Sequence, residues 1–164
     1  SRRQRQMCIR DRISQTAEGT NKWITTAYTK SELLEKAYGR LKTPVDRILY
    51  VKGTAQIEHP IASGIRALAR QSMIGVNDQD GAIAISKKEA AKIPAEDICT
   101  KQYFEDFGGA VIEVWSYDPT ILERDGCVDD ISLLLSMDND PNERVQTCLD
   151  EIRQKHGLPI KEEE

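Results

Sequence analysis

The stretch AVIEVWSY (residues 110–117) follows a pair of glycines and has the alternating pattern of a β-strand. Successive side chains of a strand point to opposite faces of its sheet. The alternation therefore places Ile112 and Val114 on one face, and Glu113 and Trp115 on the other. We expect this strand to belong to a sheet against which helices pack.

Three further segments predict strands. KWITTAY (22–28) is rich in β-branched and aromatic residues, which suit a pleated surface. ILYV (48–51) is a continuous apolar run, typical of a strand that is covered on both faces. AIAI (82–85) follows the turn-forming residues NDQDG and predicts a short buried strand.

Two helices begin with the capping-box pattern, in which Ser or Thr is followed three residues later by Glu. The pairs are Thr29 with Glu32 and Ser86 with Glu89. Pro44 prevents continuation of the first of these helices. Residues 95–109 have the least regular pattern in the chain.

The segment HPIASGIRALARQSMI predicts an amphipathic helix that begins at its proline. Its apolar side comprises Ile61, Ile65, Leu68, Ala69 and Met73. Arg66 and Arg70 share the opposite flank, one turn apart. Lys87 and Lys88, in the next element, are expected nearby. We expect the guanidinium groups of Arg66 and Arg70 to be exposed. The four basic residues predict either an ordinary solvated helix face or a basic surface that docks DNA phosphates or an acidic partner.

The segment VDDISLLLSMDNDPNERVQTCLDEIRQKH (128–156) predicts two consecutive helices. Asp140 is the expected N-cap of the second helix, Pro141 suits its first position and Glu143 completes a capping box. All these elements together predict the α/β class: a small mixed sheet of about four strands with packed helices and a C-terminal helical pair.

The charge of the chain is unevenly distributed. Its 164 residues carry a formal net charge of −4. Residues 1–12 contain five arginines and one aspartate, a charge of +4, which leaves −8 for residues 13–164. An acidic body repels phosphate backbones, so any contact with nucleic acid requires a local basic patch.

We expect residues 1–12 to be a disordered basic tail, residues 13–156 a single α/β domain and residues 157–164 a disordered acidic tail. No boundary is predicted between residues 20 and 156. The string RQRQMCIRDR in the first tail resembles the translation of sequencing-adapter sequence, and the chain begins with Ser1. We therefore expect the C-terminal part of a longer protein.

The chain shows neither a secretory signal nor an apolar run of the roughly 18 residues that span a bilayer. Its four cysteines form no C-x-x-C motif, and it has only two histidines. These features predict a cytoplasmic protein with reduced thiols, no membrane partner and no zinc site. They indicate no oligomeric state.

Each candidate catalytic or metal-binding pattern has a simpler interpretation. DNDPNE has Glu143 where a calcium loop needs glycine. The side chains of Asp129 and Asp130 point about 100° apart on a helix. Helix capping explains this pair better than a metal or catalytic site does. Gly53 stands outside any phosphate-loop motif, and His59 has no recognisable partner in sequence. We predict no catalytic residues, no metal ligands and no cofactor.

The order of the stretches LKTPVDRILYVKG, HPIASGIRALARQSMI, AIAISKKEA, VIEVWSYDPTIL and VDDISLLLSMDNDPNERVQTCLDEI resembles a known family. It is similar to the C-terminal domain of bacterial winged-helix regulators, namely the AbiEi-like antitoxins of type IV toxin–antitoxin systems. The resemblance covers residues 30–155. In that family an N-terminal winged helix reads the promoter, whereas residues 13–29 are too few to form one.

The resemblance implies a non-catalytic regulatory or interaction domain of a bacterial transcriptional regulator or antitoxin. DNA, through a missing N-terminal reader, and a partner protein are its candidate partners. The alternative is a truncated nucleotidyltransferase-like or other phosphate-handling α/β enzyme domain. The sequence upstream of Ile13 distinguishes the two hypotheses, because a helix-turn-helix there supports the regulator.

Overall fold

The computed structural model describes residues 13–18, 21–53, 55–72, 74–75 and 81–160. The chain divides into two compact units: Ser1–Leu41 with Arg153–Glu164, and Lys42–Ile152. The sequence pattern predicts neither of the two boundaries between these units, after Leu41 and after Ile152. The predicted basic tail, residues 1–12, lies outside the described residues.

The first unit contains a β-hairpin followed by a helix. Strands β1 (Ile13–Glu18) and β2 (Asn21–Thr26) pair antiparallel. The strand expected at 22–28 is confirmed, but it pairs with β1 in a two-stranded sheet rather than joining the larger one. Helix α1 (Lys30–Tyr38) has the predicted capping box, in which Thr29 and Glu32 each accept the other's backbone N–H.

The second unit is built on a five-stranded mixed sheet with the order β4-β5-β7-β3-β6. Its strands are β3 (Val45–Val51), β4 (Ile61–Ala62), β5 (Ala82–Ser86), β6 (Ile98–Cys99) and β7 (Ala110–Trp115). β5 and β7 are parallel, and the other pairs are antiparallel. The predicted α/β class with a mixed sheet is confirmed. Three predicted strands form its centre, and the two edge strands have two residues each.

Five more helices follow among the described residues. They are α2 (Gly64–Gln71), α3 (Lys87–Ala90), α4 (Lys101–Phe107), α5 (Asp130–Met137) and α6 (Glu143–Lys155). Short 3-10 turns occupy Ala95–Asp97 and Pro119–Ile121. Helices α5 and α6 confirm the predicted C-terminal pair. Helix α4 falls in the segment without a regular pattern, and Thr100 caps it by accepting the N–H of Tyr103.

Helix α2 begins later than the sequence predicts. The expected start at Pro60 is wrong, because Ile61 and Ala62 pair with β5 as strand β4. The N–H of Ser63 still donates to the backbone oxygen of Ala82 at 2.9 Å, so the chain stays extended up to that residue. The buried side of the helix consists of Gly64, Ala67 and Leu68. Met73 of the expected apolar side lies outside the described residues.

Both ends of α6 also differ from expectation. The helix begins at Glu143, and Asn142 rather than Asp140 caps it by accepting the N–H of Arg144 at 3.0 Å. At the other end Gly157 has a φ of 68°, and the N–H of Leu158 donates to an earlier backbone oxygen at 2.8 Å. Leu158 is buried, so the predicted disordered tail is wrong at this position. Residues 161–164 lie outside the described residues.

The sheet faces follow the alternation of β7. Ile112 and Val114 are fully buried in a core cluster with Val51, Ile83 and Ile85. Glu113 and Trp115 point to the opposite face, as predicted. The expectation that ILYV is covered on both faces is wrong at Ile48, which is 51% exposed.

One glycine fixes the start of β7. Gly109 has a φ of 147°, and a Cβ there would lie 2.1 Å from the backbone oxygen of Val51. We predict that Gly109→Ala lowers the free energy of unfolding by roughly 2 kcal/mol or more, measured by urea denaturation. Gly53→Ala is the control, because no atom lies within 4 Å of its Cβ position. Equal stability of the two variants would contradict the assigned constraint.

Candidate functional site

The carboxylate of Glu113 links the central strand to the start of α2. Its Oε2 accepts hydrogen bonds from Ser63 Oγ at 2.6 Å and from Trp115 Nε1 at 3.0 Å. Both donors are buried, with Ser63 0% and Trp115 1% exposed. A buried donor without a partner lowers the free energy of unfolding, and the Glu113 carboxylate avoids this cost for both donors.

Ser63 occupies the N-cap position of α2 but makes no capping bond with its side chain. Its hydroxyl donates to Glu113 instead, and Glu113 Oε1 lies 3.7 Å from the Cβ position of Gly64. A negative charge beside a helix N-terminus is favourable. Because Ser63 is fully buried, its hydroxyl anchors the helix and does not face a substrate.

The same face of β7 continues towards α5. The rings of Trp115 and Tyr117 meet edge-on, with centroids 5.4 Å apart, and the Tyr117 hydroxyl hydrogen-bonds Ser132 of α5. Burial raises the pKa of Tyr117 above its usual value, the bond to Ser132 opposes this, and the charge of Asp129 adds to it. Helix α2 is therefore tied to a side chain of β7, and α5 to Tyr117, two residues beyond the end of that strand.

Arg66 lies on α2 beside the start of β5. A Cβ at Gly81 would lie 2.1 Å from Arg66 Cβ, so the helix and the chain before β5 are in close contact. The side chain is half-buried, and its buried Nε atom has no hydrogen-bond partner among the described residues. No carboxylate of these residues pairs with the guanidinium group. Buried N–H groups normally have an acceptor.

Arg70 lies one turn further along α2 and is exposed. Its Nη1 lies 3.6 Å from the Sγ of Cys127, and within residues 13–160 as described it has no salt bridge. The sequence predicts that the Arg66 and Arg70 guanidinium groups are both exposed, which is wrong for half-buried Arg66. Helix α2 therefore carries two guanidinium groups that no described carboxylate neutralises.

Lys87 and Lys88 lie at the other end of β5. Gly81 and Lys87 bracket the five residues of this strand, so their Cα atoms are about 20 Å apart at the rise of a β-strand. Lys87 pairs with Asp46 at 3.1 Å. Because Arg66 contacts Gly81, the structure does not bring the two lysines to the arginines, and the four residues do not form one patch.

The lysine end has its own electrostatics. Hydrogen bonds from Thr120 hold the pKa of Asp118 below its usual value, and the charge of Lys88 lowers it further. Lys88 is exposed at the start of α3. The charge of Lys88 therefore acts on Asp118, a carboxylate that already accepts hydrogen bonds from Thr120.

A small groove of about 170 Å³ lies beside the core cluster. It is lined by Gln56, Ile57, Glu58, Ile85, Glu89, Lys92 and Ile93. Lys92 lies 2.8 Å from Glu89 and 3.3 Å from Glu58, and its hydrogen bonds to these two residues raise its pKa. The lysine is already neutralised, so the groove offers no free cation to an anionic ligand.

The remaining candidates have structural roles or are isolated. Asp129 caps α5 by accepting the N–H groups of Ile131 and Ser132, as the capping interpretation predicts. His59 is exposed. Within the part of the chain that the structure describes, no three His, Cys, Asp or Glu residues are grouped as metal ligands. None of the described helices is long and apolar enough to cross a membrane.

Removing the Glu113 side chain tests its anchoring role. We predict that Glu113→Ala lowers the free energy of unfolding by roughly 2–4 kcal/mol, because two buried donors are left without their acceptor. Glu113→Gln keeps an acceptor oxygen, so we expect a decrease of roughly 1 kcal/mol. Chemical denaturation measures both, with Glu151→Ala as the control, because Glu151 is exposed. If Glu113→Ala is as mild as the control, the carboxylate does not hold α2.

Comparison of the chain with models of protein families, with curated protein sequences and with solved structures gives no match. The resemblance to AbiEi-like antitoxins therefore stays a prediction. The functional proposal below depends on the geometry of α2 and on that sequence-level resemblance.

Proposed function

We propose that this chain is a non-catalytic interaction domain of a bacterial transcriptional regulator or antitoxin, in which α2 contacts DNA phosphates. The observation that carries the proposal is the pair of arginines on α2, Arg66 and Arg70, one turn apart, which no carboxylate of the described residues neutralises. DNA phosphates supply the negative charge that these two groups lack.

Arginine suits this task because its planar guanidinium group donates two parallel hydrogen bonds to a phosphate and keeps its charge at all physiological pH values. The helix that presents the two arginines is fixed from behind by Ala67 and Leu68, both 0% exposed. It is fixed at its start by the bond from Ser63 to Glu113. A rigid support lowers the entropic cost of ordering two long side chains on binding.

The charge of the rest of the chain sets the expected strength of this contact. The chain has a net charge of −4, which opposes the approach of DNA at long range. Two local contacts cannot give high affinity alone. They suit a domain that assists a separate DNA reader in the cytoplasm, which is the arrangement that the resemblance to winged-helix regulators implies.

Replacing both arginines tests the contact. We expect Arg66→Ala with Arg70→Ala to weaken binding of duplex DNA similarly for all sequences. The log–log salt dependence should flatten by about 0.9 for each phosphate that is no longer neutralised, because fewer counterions are released on binding. Fluorescence anisotropy between about 50 and 200 mM salt measures this. Folding should be nearly unaffected, because neither side chain belongs to the core.

The matched control is Lys87→Ala with Lys88→Ala, which removes the same formal charge at the other end of β5. We expect this variant to keep the parental salt slope. If the arginine variant binds DNA with the parental affinity and slope, or if the two variants are equally weak, α2 is not the contact. If nucleotide binding or turnover falls instead of DNA binding, the phosphate-handling enzyme hypothesis is favoured.

A further inference from the structure

The guanidinium group of Arg70 rests on a neighbouring turn, although the residue is exposed overall. Its Nη1 donates a hydrogen bond to the Sγ of Cys127 at 3.6 Å. The same nitrogen lies 3.5 Å from the Cβ position of Gly126. One end of the guanidinium group is therefore in contact with two consecutive residues of a loop that is distant from α2 in the sequence.

Backbone hydrogen bonds close this loop into a tight turn. Arg124 donates its N–H to the oxygen of Cys127 at 3.0 Å, and Cys127 donates its own to the oxygen of Arg124 at 2.9 Å. Between them, Asp125 has a φ of 52° and Gly126 a φ of 73°. Two residues with positive φ are what the most compact hairpin turns require. We call the segment from Arg124 to Cys127 the 124–127 turn.

The 124–127 turn is also joined to the edge of the sheet. Ala62 of β4 donates its N–H to the oxygen of Gly126 at 2.8 Å, and its own oxygen accepts the N–H of Val128 at 3.0 Å. Cys127 and Val128 are both buried. The sulfur that contacts Arg70 is therefore fixed by its neighbours, and the contact restricts the arginine rather than the cysteine.

We infer that the 124–127 turn positions the guanidinium group of Arg70 to receive a phosphate. This role rests on the proposed contact of α2 with DNA, and it belongs to residues that do not themselves touch the nucleic acid. With Nη1 held by the turn, Nε and Nη2 form the edge that donates two parallel hydrogen bonds to a phosphate. A side chain that is ordered beforehand loses less conformational entropy on binding.

A thiol suits this task because it holds the arginine without neutralising it. Thiol sulfur is a weak hydrogen-bond acceptor and carries no formal charge. A carboxylate at the same place would form an ion pair, as Asp46 does with Lys87 at 3.1 Å. The contact with Cys127 therefore restricts the orientation of Arg70 and leaves its positive charge for the phosphate.

Two substitutions of Cys127 separate positioning from charge. We expect Cys127→Ala to weaken binding of duplex DNA roughly two- to tenfold, the cost of ordering one long side chain. The salt slope should stay parental, because no charge is removed, whereas Arg70→Ala flattens it. Cys127→Ser should restore most of the affinity, because its hydroxyl oxygen accepts the same N–H. Fluorescence anisotropy measures all three variants.

The control is Cys99→Ala, which removes a thiol from β6 at the other edge of the sheet. It should bind DNA like the parent. Urea denaturation of each variant checks that it is folded under the conditions of the binding measurement. Because serine also fails to fill the volume of the sulfur, a loss of affinity through packing alone would affect Cys127→Ser as much as Cys127→Ala.

A second measurement tests the positioning without DNA. Nuclear magnetic relaxation of the arginine Nε atoms reports how ordered each guanidinium group is. In the parent chain we expect Arg70 to be more ordered than Arg144, which is exposed on α6. In Cys127→Ala, Arg70 should become as mobile as Arg144, and Cys127→Ser should restore its order.

The two measurements distinguish failure of the positioning role from failure of the proposed function. A parent chain that does not bind DNA contradicts the proposed function, and the relaxation of Arg70 then decides by itself whether the turn holds the side chain. Unchanged order of Arg70 in Cys127→Ala overturns the inference whatever the DNA measurement gives. Parental affinity of Cys127→Ala, or no recovery in Cys127→Ser, overturns it as well.

Discussion

The carboxylate of Glu113 joins the start of α2 to the central strand β7 and accepts two hydrogen bonds. One comes from Ser63, which begins α2, and the other from Trp115 on the same strand. A carboxylate on a central strand gives up much of its hydration, and these buried donors replace the water molecules. The position of α2, and hence of Arg66, depends on this pairing. An apolar residue in place of Glu113 would leave both donors without an acceptor.

Local signals explain what the sequence predicts correctly. The capping boxes at Thr29 and Ser86 involve neighbours three residues apart, and in both the hydroxyl accepts the N–H of the glutamate. The alternation of β7 is likewise local. Strands β4 and β6 have two residues each, too few for any period to appear. Ile61 and Ala62 have apolar spacing that suits a helix equally well, and only their pairing with distant β5 makes them a strand.

The candidate site shows the same division between local and distant effects. The shared flank of Arg66 and Arg70 follows from helical spacing alone. The separation of Lys87 from them depends on the direction in which β5 runs, which no residue pattern in that segment encodes. The partner of Ser63 is 50 residues away along the chain, so the pairing with Glu113 has no local signal.

The proposed DNA contact on α2 has to act against the charge of the chain. Two guanidinium groups on one helix stand against a net charge of −4, so the proposal implies a weak, salt-sensitive contact. Linked to a separate DNA reader, such a contact would act at a high effective local concentration once the reader is bound. The proposal therefore assigns sequence specificity to the reader and only phosphate contact to α2.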